Sequence, residues 1–172
     1  MSKHLYLGNI ATMNVDAIVN AAATDLKRCP GICEAIFSAA DAKALEAACR
    51  KIGHCDIGKA VVTPGCGLYA KYIIHVAGAG WYGGLQRERF LLGNCYHQAL
   101  NKALFYNRKS VALPLIFSGD CHIPRAESIK IAGQVIADYA KRHKEMEIYL
   151  VLYKPSIYNM AEALLKWPKE SC

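Results

Sequence analysis

The sequence predicts a three-layer α/β/α sandwich with a mostly parallel central sheet, formed by residues 1–172 as one domain. Three observations lead there. Apolar strand-like runs alternate with amphipathic stretches along the whole chain, the pattern of a sheet covered by helices on both faces. No internal repeat, low-complexity stretch or linker divides it. At 172 residues, the chain is long enough to bury a full core as one unit.

The strand-like runs are residues 4–7, 17–20, 60–63, 72–76, 111–116 and 148–153. Four sets of apolar positions recur at helical spacing. Leu92, Cys95, Tyr96, Ala99, Leu100 and Ala103 form one stripe. Ile129, Ala132, Val135, Ile136 and Tyr139 form another, after a proline at 124 that suits a first helical turn. Ile32, Ala35, Ile36, Ala39 and Ala40 follow Gly31, and Ile157, Met160, Ala161, Leu164 and Leu165 close the chain. These stripes are expected to be core. Pro114 conflicts with a buried strand over 111–116, because proline favours sheet edges or bulges.

Composition narrows the class. Hydrophobic residues make up 53% and charged residues 20%, a globular balance with no sign of disorder. No apolar run has the length of a membrane span. The first ten residues pass from Ser2-Lys3-His4 straight into an alternating pattern, without the apolar region of a secretion signal. A soluble, cytoplasmic chain is expected. The eight cysteines (Cys29, Cys33, Cys49, Cys55, Cys66, Cys95, Cys121 and Cys172) include no CxxC pair, so free thiols in a reducing compartment are expected. A net charge of +7 suits an anionic partner, whether nucleotide, nucleic acid or membrane surface, but much of it fits solvated helix surface such as Lys141-Arg142-His143-Lys144 equally well.

In open α/β sheets, ligands bind beyond the carboxyl ends of the strands. That rule selects residues 21–31, 77–84, 117–123 and 153–155. Ala21-Ala22-Ala23 lets backbone approach a ligand, and Gly31 opens a helix whose free N–H groups favour a phosphate. Ser118-Gly119 adds a hydroxyl and an unhindered backbone on the same rim. Ordinary strand-to-helix turns use the same small residues, so the pattern alone leaves both readings open.

Motifs along the chain add more. Gly8-Asn9-Ile10, followed by Val15-Asp16-Ala17-Ile18-Val19-Asn20-Ala21-Ala22, resembles the opening GDI…VDAIVNAAN of a macrodomain. Gly31 to Ala40 is similar to the family's GGGV-x-GAI…AAG stretch. Gly58-Lys59-Ala60-Val61-Val62-Thr63-Pro64-Gly65 and Ala70-Lys71-Tyr72-Ile73-Ile74-His75 match its GxAVxTPG and AKYIIH, and residues 114–124 resemble its PxISTGxxGxP loop. The matches keep their order over nearly the whole chain. The resemblance implies a mixed, mostly parallel sheet and a cleft for ADP-ribose or an ADP-ribosylated protein. It implies no cofactor and no resident metal, and hydrolysis of ADP-ribosyl bonds in some members.

Carried over residue by residue, the resemblance puts Asn9 where an acidic residue contacts the adenine amino group, with Ile10 beside the base. Tyr153 matches an aromatic that stacks on adenine. Asn20 matches the first asparagine of the family's NAAN, near the distal ribose, with Ala21 beside it. Gly31, Ile32 and Cys33 form one diphosphate loop, and Ser118, Gly119, Asp120, Cys121 and His122 the other. Asn20 and Cys33 are the candidate catalytic residues, Cys33 as a thiol at a helix N-terminus.

Departures are equally specific. Ala23 replaces the asparagine that orients the ribose in hydrolytic members. Pro30 removes an N–H from the glycine run, with Arg28 a candidate substitute ligand for phosphate. Asp120 adds a negative charge near a diphosphate, and His122 replaces a glycine. Cys29, Cys33, Cys121 and His122 also have the ligand chemistry of a zinc site, against which stand their loose spacing and the alternative of separate inert side chains.

Overall fold

The computed structural model describes residues 2–78, 83, 87–116 and 123–168. Among them, six strands form one sheet: β1 (Lys3–Leu7), β2 (Ala17–Ala22), β3 (Ala60–Pro64), β4 (Tyr72–Ala77), β5 (Ser110–Pro114) and β6 (Glu147–Leu152). Their order is β1-β6-β5-β2-β4-β3. All neighbouring pairs are parallel except β3, which runs antiparallel to β4 at one edge. The six expected strands are therefore present, with ends shifted by one or two residues.

Alternation along each strand sorts side chains onto two faces. Ala17 and Val19 of β2, Ile74 and Val76 of β4, and Ile148 and Leu150 of β6 enter one apolar cluster with helices α3 (Glu88–Phe105), α4 (Arg125–Arg142) and α5 (Pro155–Leu165). Ile18 and Ala22 of β2, Ile73 of β4 and Val151 of β6 enter a second, with α1 (Ile32–Ala39) and α2 (Ala42–Ile52). This produces the three layers.

The α3 and α4 stripes are buried as the spacing predicts. Two others need correction. In α1 the buried residues are Cys33, Ile36 and Phe37, while Ala39 is exposed, so the inward face is turned from the stripe read in the sequence. In α5 only Ala161 is fully buried; Leu165 packs on Gly133, whereas Met160 and Leu164 are exposed. α2 escaped the periodicity reading because it buries only Leu45 and Cys49. Its signals were present at its ends: Asp41 caps the Ala44 N–H at 3.1 Å, and Gly53 closes the helix at φ 86°.

Pro114 is not on a sheet edge. β5 lies between β6 and β2. Its ladder to β2 joins only Val111 and Ala112, and Pro114 is its final residue, where the missing N–H interrupts little. Just beyond, the buried Tyr96 hydroxyl accepts from the Ile116 N–H at 2.9 Å and donates to the Pro114 carbonyl at 3.3 Å. A side chain from α3 thus replaces main-chain pairing where the strand stops.

Candidate ligand site at the carboxyl edge of the sheet

Five parallel strands end on one rim, in the order β1, β6, β5, β2, β4. From β1 to β2 is three strand spacings, about 14 Å. At the β1 end, Gly8 N–H donates to the Leu152 carbonyl at 2.9 Å, so the chain leaves β1 toward Asn9 and Ile10 at the same rim where β6 gives way to Tyr153. Tyr153 is 76% exposed, so its ring is available to a planar group.

Asn9 and Ile10 are more committed to the fold than the sequence indicates. The Asn9 side-chain carbonyl caps a 3-10 turn (Ile10–Thr12), accepting from the Ala11 N–H at 2.9 Å. The carbonyl, the part of the Asn9 side chain able to accept from an adenine amino group, already has a partner. Ile10 is buried in the cluster that holds Cys33, Ile36 and Val151.

At the β2 end, Asn20 is 1% exposed and lies on the face covered by α1 and α2. Its Nδ2 is 3.0 Å from His75 Nδ1, and His75 Nε2 is 2.9 Å from Thr63 Oγ1. Burial pulls the His75 pKa down to about 4, so the ring is neutral near pH 7. Among the described residues, Asn20 Oδ1 is buried without a hydrogen-bond partner, a state that costs about 1–3 kcal/mol unless a donor arrives. Sequence reading named Asn20 but missed His75 and Thr63, which were noticed only as parts of two motifs.

Residues 23–31 form the loop between β2 and α1. Leu26, at φ 58°, plugs the core, and its N–H donates to the Ala23 carbonyl at 3.0 Å. Ala21 and Ala23 are half-buried, and Pro30 is exposed. Gly31 has φ 83° with no heavy atom within 4 Å of where a Cβ would stand. Its carbonyl receives the first bond of α1, from Ala35 N–H at 3.1 Å, so the N–H groups of Ile32, Cys33 and Glu34 precede the helical ladder. Such an opening favours an anion.

Two expectations about this loop change. Arg28 is not a free phosphate ligand: it grips Glu34 through Nε at 2.7 Å and Nη2 at 2.5 Å, and its Nη2 reaches Ser38 at 3.1 Å. The pairing holds the Glu34 carboxyl down at about 2, chiefly through the Arg28 hydrogen bonds. Cys33 is 1% exposed, and its sulfur accepts from the Cys29 N–H at 3.3 Å. A nucleophile needs an open sulfur, and this one faces the core because α1 is turned as described above. Cys29, half-buried, is pushed up to about 12 by burial and then by Cys33.

Ser118, Gly119, Asp120, Cys121 and His122 lie outside the described residues. The zinc set loses its geometric test with them; among the described residues no group of three or more His, Cys, Asp or Glu side chains is placed to hold a metal. Also among the described residues, no helix is long and apolar enough to cross a membrane, and Cys29, Cys33, Cys49, Cys55, Cys66 and Cys95 are free thiols.

An open, mostly parallel sheet with helices on both faces, its parallel strands ending on one rim, defines an α/β domain. The comparisons make the family specific. The Macro domain model matches residues 19–132, and the chain belongs to that family. It is 38% identical to a macro domain-containing protein of Methanosarcina mazei, covering 94% of this chain and 87% of that one. It is also 38% identical to the O-acetyl-ADP-ribose deacetylase of Citrobacter koseri, covering 94% of each. Among solved structures, the Oceanobacillus iheyensis macrodomain with ADP is similar at a TM-score of 0.89 and 28% identity, over 94% of this chain and 88% of that one. The Trypanosoma brucei macrodomain in complex with ADP-ribose gives 0.85 and 25%, over 94% and 68%.

Proposed function

We propose that this chain binds ADP-ribose, free or carried on a modified protein, along the carboxyl edge of its sheet. The observation that carries the reading is that α1, whose first N–H groups precede its helical ladder, packs against both the 3-10 turn that follows Asn9 and β2, which carries Asn20. A helix start of the kind that favours anions would then serve the middle of a dinucleotide-like molecule, with its ends toward Asn9 and Asn20. Structural relatives solved with ADP and with ADP-ribose support this assignment.

Tyr153 stacks on the adenine and Asn9 borders it through its amide nitrogen. The N–H groups of Ile32 and Cys33 meet the diphosphate, while Ala21 and Asn20 border the distal ribose. The family motif assigns residues 118–122, which lie outside the described residues, to the second diphosphate loop. No metal or cofactor enters this reading. The free thiols support a reducing, cytoplasmic setting.

Hydrolysis is the weaker part of the activity. Relatives named O-acetyl-ADP-ribose deacetylase support ester cleavage at the ribose. Ala23 offers no side-chain group to orient that ribose, and the Cys33 sulfur is buried. We therefore assign a binder with slow turnover of O-acetyl-ADP-ribose, with Asn20 as the motif asparagine that remains at the ribose end.

Thermal denaturation with ADP-ribose tests the ligand. A melting temperature that climbs with the logarithm of ligand concentration is expected. No shift at millimolar ADP-ribose overturns the assignment.

A further inference from the structure

The hydrogen bonds around His75 determine which way the Asn20 amide faces. The Thr63 hydroxyl has one proton to donate, and the Pro64 carbonyl, which can only accept, lies 3.1 Å from its oxygen. With that proton given to the carbonyl, the Thr63 oxygen acts as acceptor toward His75, 2.9 Å away, which puts the ring proton on Nε2. That leaves Nδ1 as an acceptor, which matches the amide nitrogen of Asn20 at 3.0 Å. The Asn20 oxygen then points away from His75, and among the described residues it is buried with no partner. Asn20 is two residues from the carboxyl end of β2, with only Ala21 and Ala22 between it and the rim.

We propose that Thr63 and His75 are positioning residues: their hydrogen-bond chain locks the Asn20 amide so that its oxygen is kept as the acceptor for a donor at the sugar end of the bound ligand. The alternative tautomer, with the proton on Nδ1, would turn the amide and present its nitrogen instead. A sugar hydroxyl, or a water held by one, supplies the missing proton. This inference rests on the ADP-ribose reading for the identity of the ligand, but the tautomer at its centre is a property of the free protein.

Two measurements on the full chain separate these parts. A long-range proton–nitrogen spectrum of the His75 ring in the free protein is expected to show the neutral Nε2–H tautomer. Calorimetry with ADP-ribose then compares Thr63→Val with Thr63→Ser. The valine removes the acceptor for Nε2–H, so the Nδ1–H form should appear and the Kd should rise about five- to tenfold, the worth of one hydrogen bond. The serine keeps the hydroxyl and should retain both the tautomer and the affinity. An Nδ1–H ring in the unmodified protein overturns the proposal, as does a valine variant with altered tautomer that binds as tightly as the original. If the valine variant does not fold, titrating the unmodified protein decides: the Asn20 amide and His75 Nδ1 signals should move on binding, and unmoved signals overturn it. If ADP-ribose does not bind at all, the assigned ligand is wrong and the role in positioning it falls, while the ring spectrum still judges the chain of hydrogen bonds.

Discussion

Tyr96 and Ile116 are joined by a buried hydrogen bond in which the tyrosine hydroxyl accepts from the Ile116 N–H at 2.9 Å. The same hydroxyl donates to the Pro114 carbonyl, so one side chain of α3 holds both sides of the point where β5 ends. Full burial raises the Tyr96 pKa further above its ordinary value, and the hydroxyl stays protonated. The residues that follow Ile116 are those assigned to the second diphosphate loop.

Tyr96→Phe should therefore destabilise the domain more than loss of one exposed bond would. It leaves the Ile116 N–H buried and unpaired, at a cost of about 1–3 kcal/mol. Urea unfolding measures the loss, and hydrogen exchange at Ile116 locates it. Unchanged stability together with unchanged exchange at that amide would show that Tyr96 is only filling space.

His75 makes stability depend on pH in a defined window. Its folded-state pKa is about 4 and its unfolded value about 6.5. Between these values the unfolded chain takes up a proton that the folded chain refuses, so stability is complete above pH 6.5 and falls as pH drops toward 4. Below 4 this contribution no longer changes. The full swing is about 3 kcal/mol. Denaturant melts at pH 7, 5.5 and 4 should show the decline, and His75→Gln should flatten it. A slope that survives this substitution would place its origin elsewhere.

Thiol labelling tests the orientation of α1. Among the described cysteines, Cys29 and Cys66 are half-buried and the other four are buried. Burial raises Cys29 to about 12 and Cys66 in the same direction, so labelling at pH 7 should be slow but led by those two. Cys33 should lag with Cys95. Mass spectrometry after brief alkylation reads the order; early labelling of Cys33 would put its sulfur in the cleft and restore it as a candidate nucleophile.

How far the sequence revealed this depended on how local each signal was. The six strands were legible because alternation and apolar runs mark them individually, and α3 and α4 because their buried stripes are broad. α2 was not, since two buried residues in eleven make no stripe. The inward face of α1 was misjudged because Ile32, Ala35 and Ala39 are apolar without being core, while Phe37 is core. Asn20 was found by motif. Its bonds to His75 and through it to Thr63 cross from β2 to β4 and β3, and only strand register brings such residues together. The grip of Arg28 on Glu34 was equally invisible, because the loop had to fold before the two could meet.

The substitution of Ala23 sets the expected chemistry. With O-acetyl-ADP-ribose as substrate, the chain should turn over slowly, and Ala23→Asn should raise kcat about tenfold or more by orienting the ribose. A steady-state assay of acetate release decides. Fast turnover by the unmodified chain, indifferent to this substitution, would mean that the ribose is oriented by other groups.

Calorimetric titration of the chain with ADP-ribose, alongside Tyr153→Ala, tests most directly whether the carboxyl edge is the binding site. Tyr153 is 76% exposed, so truncating it should leave the fold intact. One site per chain is expected, and the alanine should weaken binding about tenfold, within the 1–3 kcal/mol that a stacked base is worth. Absence of heat at millimolar ligand, or an affinity indifferent to Tyr153, would contradict a ligand lying along that edge with its adenine against this ring.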